Sequence, residues 1–152
     1  MRFNNKLIPF IDIKKTTANV ETRLKIFRKI MSTSGFYKVA SVKMDEFENK
    51  SLSLSECVEV TVKNKSENEV IELLNIVDCI LNTNEKEFFY YYYLRAVSIK
   101  NLRDSLYIDD MYVSISNCTK IKKKIIKKLI FAINEDIEYL PVYEIDEKQG
   151  GE

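Results

Sequence analysis

The sequence predicts an all-α protein, and two observations favour this class. The chain of 152 residues contains 3 glycines and 2 prolines, too few for the many turns of a β-sandwich or a β-barrel. Apolar residues recur at helical spacing in several segments, and residues typical of helix ends stand between these segments. The length suits one domain or two very small ones, and an apolar share of 45% is enough to build a core.

The first helix is predicted between Asp12 and Gly35. Asp12, Thr16 and Thr17 are candidate N-caps, and Gly35 stands where a C-terminal stop is typical. Four apolar residues recur at helical spacing and predict a buried stripe: Val20, Leu24, Phe27 and Met31. The basic residues off this stripe predict a solvated face: Arg23, Lys25, Arg28 and Lys29.

Residues 36–56 have no clear periodicity, and the segment "LSLSE" within them favours a loop. The next segment, "CVEVTVK", alternates Val58, Val60 and Val62, which is typical of a short strand. No partner strand is evident from the sequence. A helix that starts in this segment is therefore the alternative interpretation.

A second helix is predicted in "SENEVIELLNIVDCILNTN". Ser66 and Glu69 form the Ser-x-x-Glu pattern of a capping box, and the polar "NTN" ends the helix. Its apolar residues form a wide face that predicts burial: Val70, Leu73, Leu74, Val77, Ile80 and Leu81.

The segment "EKEFFYYYYLR" predicts a third helix, with Asn84 as its cap. Two phenylalanines and four tyrosines in a row cannot all lie on one side of a helix, so some rings must pack inward. We favour core packing for this run. The alternative is that the outer rings stack on the bases of a nucleic acid.

The last third predicts a short helix, a turn and a long helix. Ser98 caps the short helix, which runs to Leu106, and the turn lies at Ile108–Asp110. The long helix begins within residues 109–116 and ends near Asn134. Its apolar residues form an inward stripe: Ile121, Ile125, Ile126, Leu129, Ile130 and Ile133. Its outward residues are mostly lysines: Lys120, Lys123, Lys124, Lys127 and Lys128.

The residue types exclude several kinds of site. The chain has no histidine, and its three cysteines (Cys57, Cys79 and Cys118) are far apart in the sequence. We therefore expect buried free thiols, no metal, no cofactor and no enzymatic activity, since the usual zinc sites and His-based triads cannot form. No apolar run is long enough for a signal peptide or a membrane span, so we expect a cytoplasmic protein without a membrane partner.

The order of the last elements matches a helix-turn-helix. Five residues follow the rhythm of sigma-factor region 4, in which the second helix enters the major groove of DNA: Tyr93, Ser98, Leu102, Leu106 and Ile108. Lysines beside the groove would bind phosphates, and we assign this role to Lys123, Lys124, Lys127 and Lys128. Shorter polar residues at the leading end of the helix would read bases: Ser114, Ser116, Asn117, Thr119 and Lys120.

The lysine-rich helix has two other interpretations. Six lysines within residues 120–128, in a chain of formal net charge +1, are also typical of a solvated helix face. They are found as well on helices that lie on a membrane surface. The helix-turn-helix spacing favours DNA binding over both.

The N-terminal region resembles the start of the ArpU family of phage-encoded transcriptional regulators. The matching residues are Ile11, Asp12, Lys14, Lys15, Thr16, Asn19, Val20, Leu24 and Arg28, and Phe27 stands where the family usually has tyrosine. The segment from Val58 to Ile80 is similar to the family's next helix, which argues against a strand there. The basic helix is similar to the ends of ArpU and of the staphylococcal RinA type, through Ser114 and residues 120–126.

This resemblance implies a DNA-binding activator of phage late genes. One departure concerns where the recognition helix starts. If Asp109 caps it, as region 4 spacing requires, about five extra residues separate the cap from the basic run. If Ser114 caps it, the run falls in register with the RinA type but the turn is longer. We prefer Ser114.

We therefore expect a helical N-terminal region over residues 1–83, a helix-turn-helix domain over 84–134 and an acidic tail over 135–152. Double-stranded DNA is the expected partner, and RNA polymerase and a second copy of the chain are further candidates. Two rival functions remain: a small terminase subunit that recognises phage DNA for packaging, and a helical interaction protein that does not bind DNA.

Overall fold

The structure, a computed structural model, describes residues 10–33, 35–42, 52–62, 67–102, 107–108, 111–112 and 114–139. Helices make up most of this part of the chain, so the predicted helical class is confirmed. The helices are α1 (Ile13–Thr33), α2 (Glu67–Ile80), α3 (Thr83–Phe89), α4 (Ile99–Leu102) and α5 (Ile115–Leu129), with a π-helical turn (Tyr90–Leu94) after α3. Two short antiparallel pairs accompany them: β1 (Tyr37–Val39) with β2 (Val58–Val60), and β3 (Tyr107–Ile108) with β4 (Met111–Tyr112).

Helix α1 begins and packs as the sequence predicts. The Asp12 carboxylate accepts a hydrogen bond from the backbone N–H of Lys15 at 3.1 Å, which satisfies one of the free donors of the first turn. The four residues of the predicted stripe are buried. Through them α1 packs on the π-helical turn and on α5, and the ring of Phe27 lies 5.8 Å from that of Phe89.

The strand interpretation of residues 58–60 is confirmed, and the helix that the ArpU resemblance implied there is wrong. Val58 pairs with Val39, and Val60 pairs with Tyr37. Two β-branched residues in alternation suit a half-buried strand, and the partner strand lies about twenty residues earlier in the chain. Val62, the third residue of the predicted alternation, lies beyond the strand and is exposed.

A buried turn holds this sheet to α2. The chain forms a 3-10 turn at Ser55–Cys57, directly before β2. The carboxylate of Asp78 on α2 accepts hydrogen bonds from the backbone N–H groups of Leu54 and Ser55. Leu54 itself is fully buried.

Helix α2 presents the predicted apolar face to the core, with Ile80 only half-buried. Ser66 lies outside the described residues, so the capping box predicted there stays a prediction.

The cap predicted for the next helix at Asn84 is wrong, because Asn82 caps α3. The Asn82 side chain accepts from the Glu85 N–H at 2.9 Å, and the Glu85 carboxylate accepts from the Asn82 N–H at 3.0 Å. This reciprocal pair fixes the start of α3 two residues earlier.

The aromatic run packs mainly into the core, as predicted. Phe88, Phe89, Tyr90 and Tyr93 are buried, while two tyrosines, Tyr91 and Tyr92, are half-buried. The π-helical turn is closed by a hydrogen bond from the Arg95 N–H to the Tyr90 carbonyl at 2.9 Å. A five-residue turn is wider than an α-helical turn.

The connection to α5 corrects part of the predicted ending. Ser98 caps α4, since its hydroxyl accepts from the Asn101 N–H at 3.4 Å. Ile108 lies in β3 and pairs with Met111 of the antiparallel strand β4, which is compatible with the turn predicted after Ile108. Because Met111 and Tyr112 form a strand, α5 does not begin at Asp109. Leu106, Asp109 and Asp110 lie outside the described residues.

Helix α5 begins where the preferred interpretation placed it. The Ser114 hydroxyl accepts from the Asn117 N–H at 3.1 Å, so Ser114 is the N-cap. The helix ends at Leu129, earlier than the predicted Asn134, and the chain turns before a 3-10 turn at Asn134–Asp136.

One hydrophobic core contains residues of α1, α2, α3, the π-helical turn, α4 and α5. It therefore crosses the predicted boundary between residues 83 and 84. The first residues of the predicted acidic tail pack back on α1: the Asp12 N–H donates to the Glu138 carbonyl at 2.8 Å, and Ile11 pairs with Tyr139. Residues 140–152 lie outside the described part.

Candidate nucleic-acid interface

Helix α5 is strongly amphipathic. Cys118, Ile125, Ile126 and Leu129 are buried on its inner side, and the predicted inward stripe continues through Ile130 and Ile133, with Ile121 half-buried. The five lysines predicted to lie outside are all exposed. The apolar side therefore anchors α5 to the core, and the lysines on its other side face solvent.

The predicted base-reading residues lie together at the start of α5, and all five are exposed. Two of them already have a local role. Ser114 caps the helix, and the Thr119 hydroxyl donates to the Ile115 carbonyl at 3.1 Å. Ser116, Asn117 and Lys120 make no side-chain hydrogen bond to the other described residues, so their polar groups are open to a ligand.

The four predicted phosphate-binding lysines, together with Lys120 from the predicted base-reading set, divide into three groups by their surroundings. Lys120, Lys124 and Lys127 follow one another at intervals of four and three residues, so they lie on one side of the helix. We call these three residues the lysine row. Within the described part of the chain none of them forms an ion pair. Each added lysine at such spacing lowers the stability of the helix by a few tenths of a kcal/mol, because the charges repel one another. A bound anion would relieve this repulsion.

Lys128 differs from the lysine row because it is held by a partner. Its ammonium lies 2.5 Å from the carboxylate of Glu85, the buried residue that also caps α3. This ion pair ties α5 to the start of α3. Lys128 is therefore a positioning residue in this structure, and its charge is largely neutralised by Glu85.

Lys123 lies on a third side, in a cleft between α1 and α5. The cleft has a volume of about 460 Å³. Its cationic side chains come from both helices: Lys25, Arg28 and Lys29 from α1, and Lys122 and Lys123 from α5. Glu21 is the carboxylate among its described lining residues. We call this feature the basic cleft.

The floor of the basic cleft is aromatic. The Arg28 guanidinium lies 4.4 Å from the centre of the Tyr92 ring, and the Lys122 ammonium lies 5.2 Å from it. Such cation–π contacts stabilise both the ring and the cations. Tyr93 lies beside Tyr92, and burial raises the pKa of its hydroxyl far above the usual value. This phenol is therefore neutral, and the charge of the cleft comes from its walls.

Arg28 is fixed in place by the backbone. Its Nε donates to the Tyr92 carbonyl at 2.9 Å, and its Nη2 donates to the carbonyls of Ala96 at 3.0 Å and Val97 at 3.4 Å. Ala96 has a positive φ of 55°, a conformation that is uncommon outside glycine. The three hydrogen bonds therefore hold the chain where it leaves the π-helical turn.

Sequence reasoning placed the α1 cations on a solvated face and missed the basic cleft. The spacing of Lys25 and Lys29 shows that they share one side of α1, but nothing in the sequence shows that α5 faces that side. The partner of Lys128 was missed for the same reason. Burial of two of the three cysteines agrees with the prediction for Cys57 and Cys118, but Cys79 is exposed.

Within the described ranges no group of three or more His, Cys, Asp or Glu side chains could hold a metal ion, and no helix has the length and apolar character needed to cross a membrane. Comparison with protein-family models, curated proteins and solved structures found no match to this chain. The resemblance to the ArpU family therefore stays a prediction from the sequence.

Proposed function

We propose that the protein binds double-stranded DNA through the exposed side of α5 and regulates transcription from phage late promoters. The observation that carries DNA binding is the lysine row: three cations along one side of a helix whose other side is anchored in the core. The regulatory role rests on the ArpU and RinA resemblance.

The lysine row has the spacing that phosphate binding needs. From Lys120 to Lys127 the helix rises by about 10 Å, so its ammonium groups span several phosphates of one strand, which repeat every ~3.4 Å along the axis. Three such contacts would make the logarithm of the binding constant fall with the logarithm of the salt concentration with a slope of about −2.7. Ser116 and Asn117 at the leading end of α5 would then lie nearest the base edges.

The helix-turn-helix is the proposed way in which α5 enters the major groove. Helix α4 packs against α5, Ser98 caps α4, and Tyr93 and Leu102 are buried, as the region 4 rhythm requires. The β3–β4 pair lies between the two helices along the chain. The connection is therefore longer than the simple turn of region 4.

The test is a mobility-shift assay on phage genome fragments at rising salt, with a triple variant of the lysine row: Lys120→Gln, Lys124→Gln and Lys127→Gln. We expect the variant to bind at least tenfold more weakly than the native protein, with a shallower salt dependence. The matched control removes the same charge from three exposed lysines on α1 and β1: Lys14→Gln, Lys15→Gln and Lys38→Gln.

The control triple should bind DNA within about threefold of the native protein, because its lysines lie off α5. Equal weakening by the two triples would mean that net charge alone governs binding, and the proposal would be wrong. Absence of a shift at low salt would also reject it.

A further inference from the structure

We infer that the basic cleft between α1 and α5 binds a small molecule that carries a polyphosphate group, such as a nucleoside polyphosphate. The cleft is separate from the lysine row, so this inference does not rest on DNA binding. Its volume of about 460 Å³ lies within the range of roughly 300–1,000 Å³ that is typical of small-molecule sites.

The charge of the cleft favours a multiply charged anion. Lys25 and Lys29 lie one turn apart on α1, and Lys122 and Lys123 lie on the facing side of α5. Among the described residues none of these four lysines forms an ion pair, although the carboxylate of Glu21 lines the same cleft. Cations that face each other across a narrow space repel one another. A ligand with several phosphate oxygens would neutralise both walls at once.

Arg28 adds a donor that is already oriented. Hydrogen bonds to backbone carbonyls occupy its Nε and Nη2, while its Nη1 makes no hydrogen bond to the described residues. An arginine fixed in this way loses little side-chain entropy when it binds a phosphate. The combination of one fixed guanidinium with four ammonium groups is well suited to a chain of phosphates.

The floor of the cleft suits the rest of such a ligand. Tyr92 is half-buried, with Arg28 and Lys122 close to its ring, and Ile126 contributes an apolar surface. Sites of this size usually combine apolar surface with a few well-placed polar groups. A nucleoside would place its base against this floor, whereas free pyrophosphate would use the walls alone.

The test is isothermal titration of the full chain with ATP, GTP and pyrophosphate, and with adenosine as the uncharged reference. The cleft variant is Lys25→Gln with Lys29→Gln. The matched control, Lys14→Gln with Lys15→Gln, removes the same charge from the exposed start of α1, outside the cleft and outside the lysine row. Circular dichroism and thermal melting establish that all variants are folded.

We expect ATP or pyrophosphate to bind the native protein, the cleft variant to bind at least tenfold more weakly, and the control to bind within about twofold. Adenosine should not bind measurably. Tighter binding of nucleotides than of pyrophosphate would identify a nucleoside polyphosphate as the ligand class. Equal affinities would identify the polyphosphate group alone, and both results support the inference.

Two results would overturn it. The first is equal weakening by the cleft variant and the control, which would indicate diffuse charge attraction. The second is absence of binding by all three phosphates. If, in that case, the cleft variant also lost affinity for duplex DNA, the cleft would be part of the DNA surface. Failure of the lysine-row variant to affect DNA binding would leave the cleft result unchanged, so the two proposals fail separately.

Discussion

The two sides of α1 differ in how completely their charges are paired. On one side, Arg23 Nε lies 2.6 Å from the Asp136 carboxylate and Arg23 Nη2 lies 3.1 Å from that of Glu135. The hydrogen bonds that Arg23 donates to the Asp136 carboxylate raise the pKa of Arg23. On the side that faces the basic cleft, Lys25 and Lys29 have no carboxylate partner among the described residues. Carboxylates at the end of the described chain therefore neutralise one side of α1 and leave the other side cationic.

This difference shows that, in this protein, the positions of the charged residues matter more than the net charge of the chain. The chain has 24 basic and 23 acidic residues, so the acids would be sufficient to pair nearly every cation. Residues 135–138 bind the side of α1 that carries Asn19 and Arg23. The cations of the cleft and of the lysine row remain available to ligands.

The largest expected effect is that of Arg23→Gln, which removes the ion pairs of Arg23 with Glu135 and Asp136. The substitution leaves the buried carboxylate of Asp136 without its charged partner, and an uncompensated buried charge is costly. Since Arg23 is itself about one-third exposed, we expect a loss of about 2 kcal/mol in the free energy of unfolding, measured by urea denaturation.

Arg23→Lys is the control for charge, because it keeps the cation but loses the two-point contact. Its loss should be smaller than that of Arg23→Gln. A variant Arg23→Gln that is as stable as the native protein would show that the ion pairs of Arg23 with Glu135 and Asp136 contribute nothing to stability.

A smaller effect on stability is expected when the hydroxyl of either of two tyrosines in the π-helical turn is removed, because the two hydroxyls differ in their hydrogen bonds. The Tyr90 hydroxyl donates to the Ala40 carbonyl and accepts from the Val42 N–H at 3.0 Å. The buried hydroxyl of Tyr93, beside the cleft, has no hydrogen-bond partner among the described residues. We expect Tyr90→Phe to lower the free energy of unfolding by about 1–2 kcal/mol, and Tyr93→Phe to raise it by about 1 kcal/mol.

Both tyrosine variants keep the ring, so packing changes little between them and thermal or urea unfolding compares the hydroxyls alone. Destabilisation of equal size in both would contradict the assignment, because it would mean that the Tyr93 hydroxyl is satisfied.

The smallest effect concerns the stability of the variant Lys29→Gln in the absence of ligand, a change that removes the repulsion between Lys25 and Lys29 and leaves Lys25 one turn from Glu21 on α1. Removal of a like-charged pair at this spacing should raise stability by about 0.3 kcal/mol at low ionic strength. The gain should vanish in high salt, where the repulsion is screened. Urea unfolding at two salt concentrations measures it, and a loss of stability at low salt would show that Lys29 has a carboxylate partner.

Periodicity and capping predicted the long helices well, because their signals are local. Val20, Leu24, Phe27 and Met31 gave the buried side of α1, and Ser114 gave the start of α5. The sequence was less informative where a distant contact decides the local structure. The alternation of Val58 and Val60 predicted a strand, but not its partner Tyr37–Val39, because nothing near either segment indicates the other.

The candidate site divides in the same way. The exposure of the lysine row followed from the spacing of the isoleucines, which fixes the inner side of α5. The role of Lys128 depends on Glu85, a residue that lies on α3 and is brought near only by the fold. The basic cleft needed the relative placement of α1 and α5, which a single sequence does not contain.

Arg28 joins two parts of the molecule that the earlier sections described separately. Its guanidinium lies in the wall of the cleft and also holds the carbonyls of Tyr92, Ala96 and Val97, just before α4. Helix α4 in turn packs on α5. A ligand that binds Arg28 would therefore act on the same hydrogen bonds that hold the chain just before α4. Occupancy of the cleft and the orientation of α5 would then be mechanically coupled through one side chain.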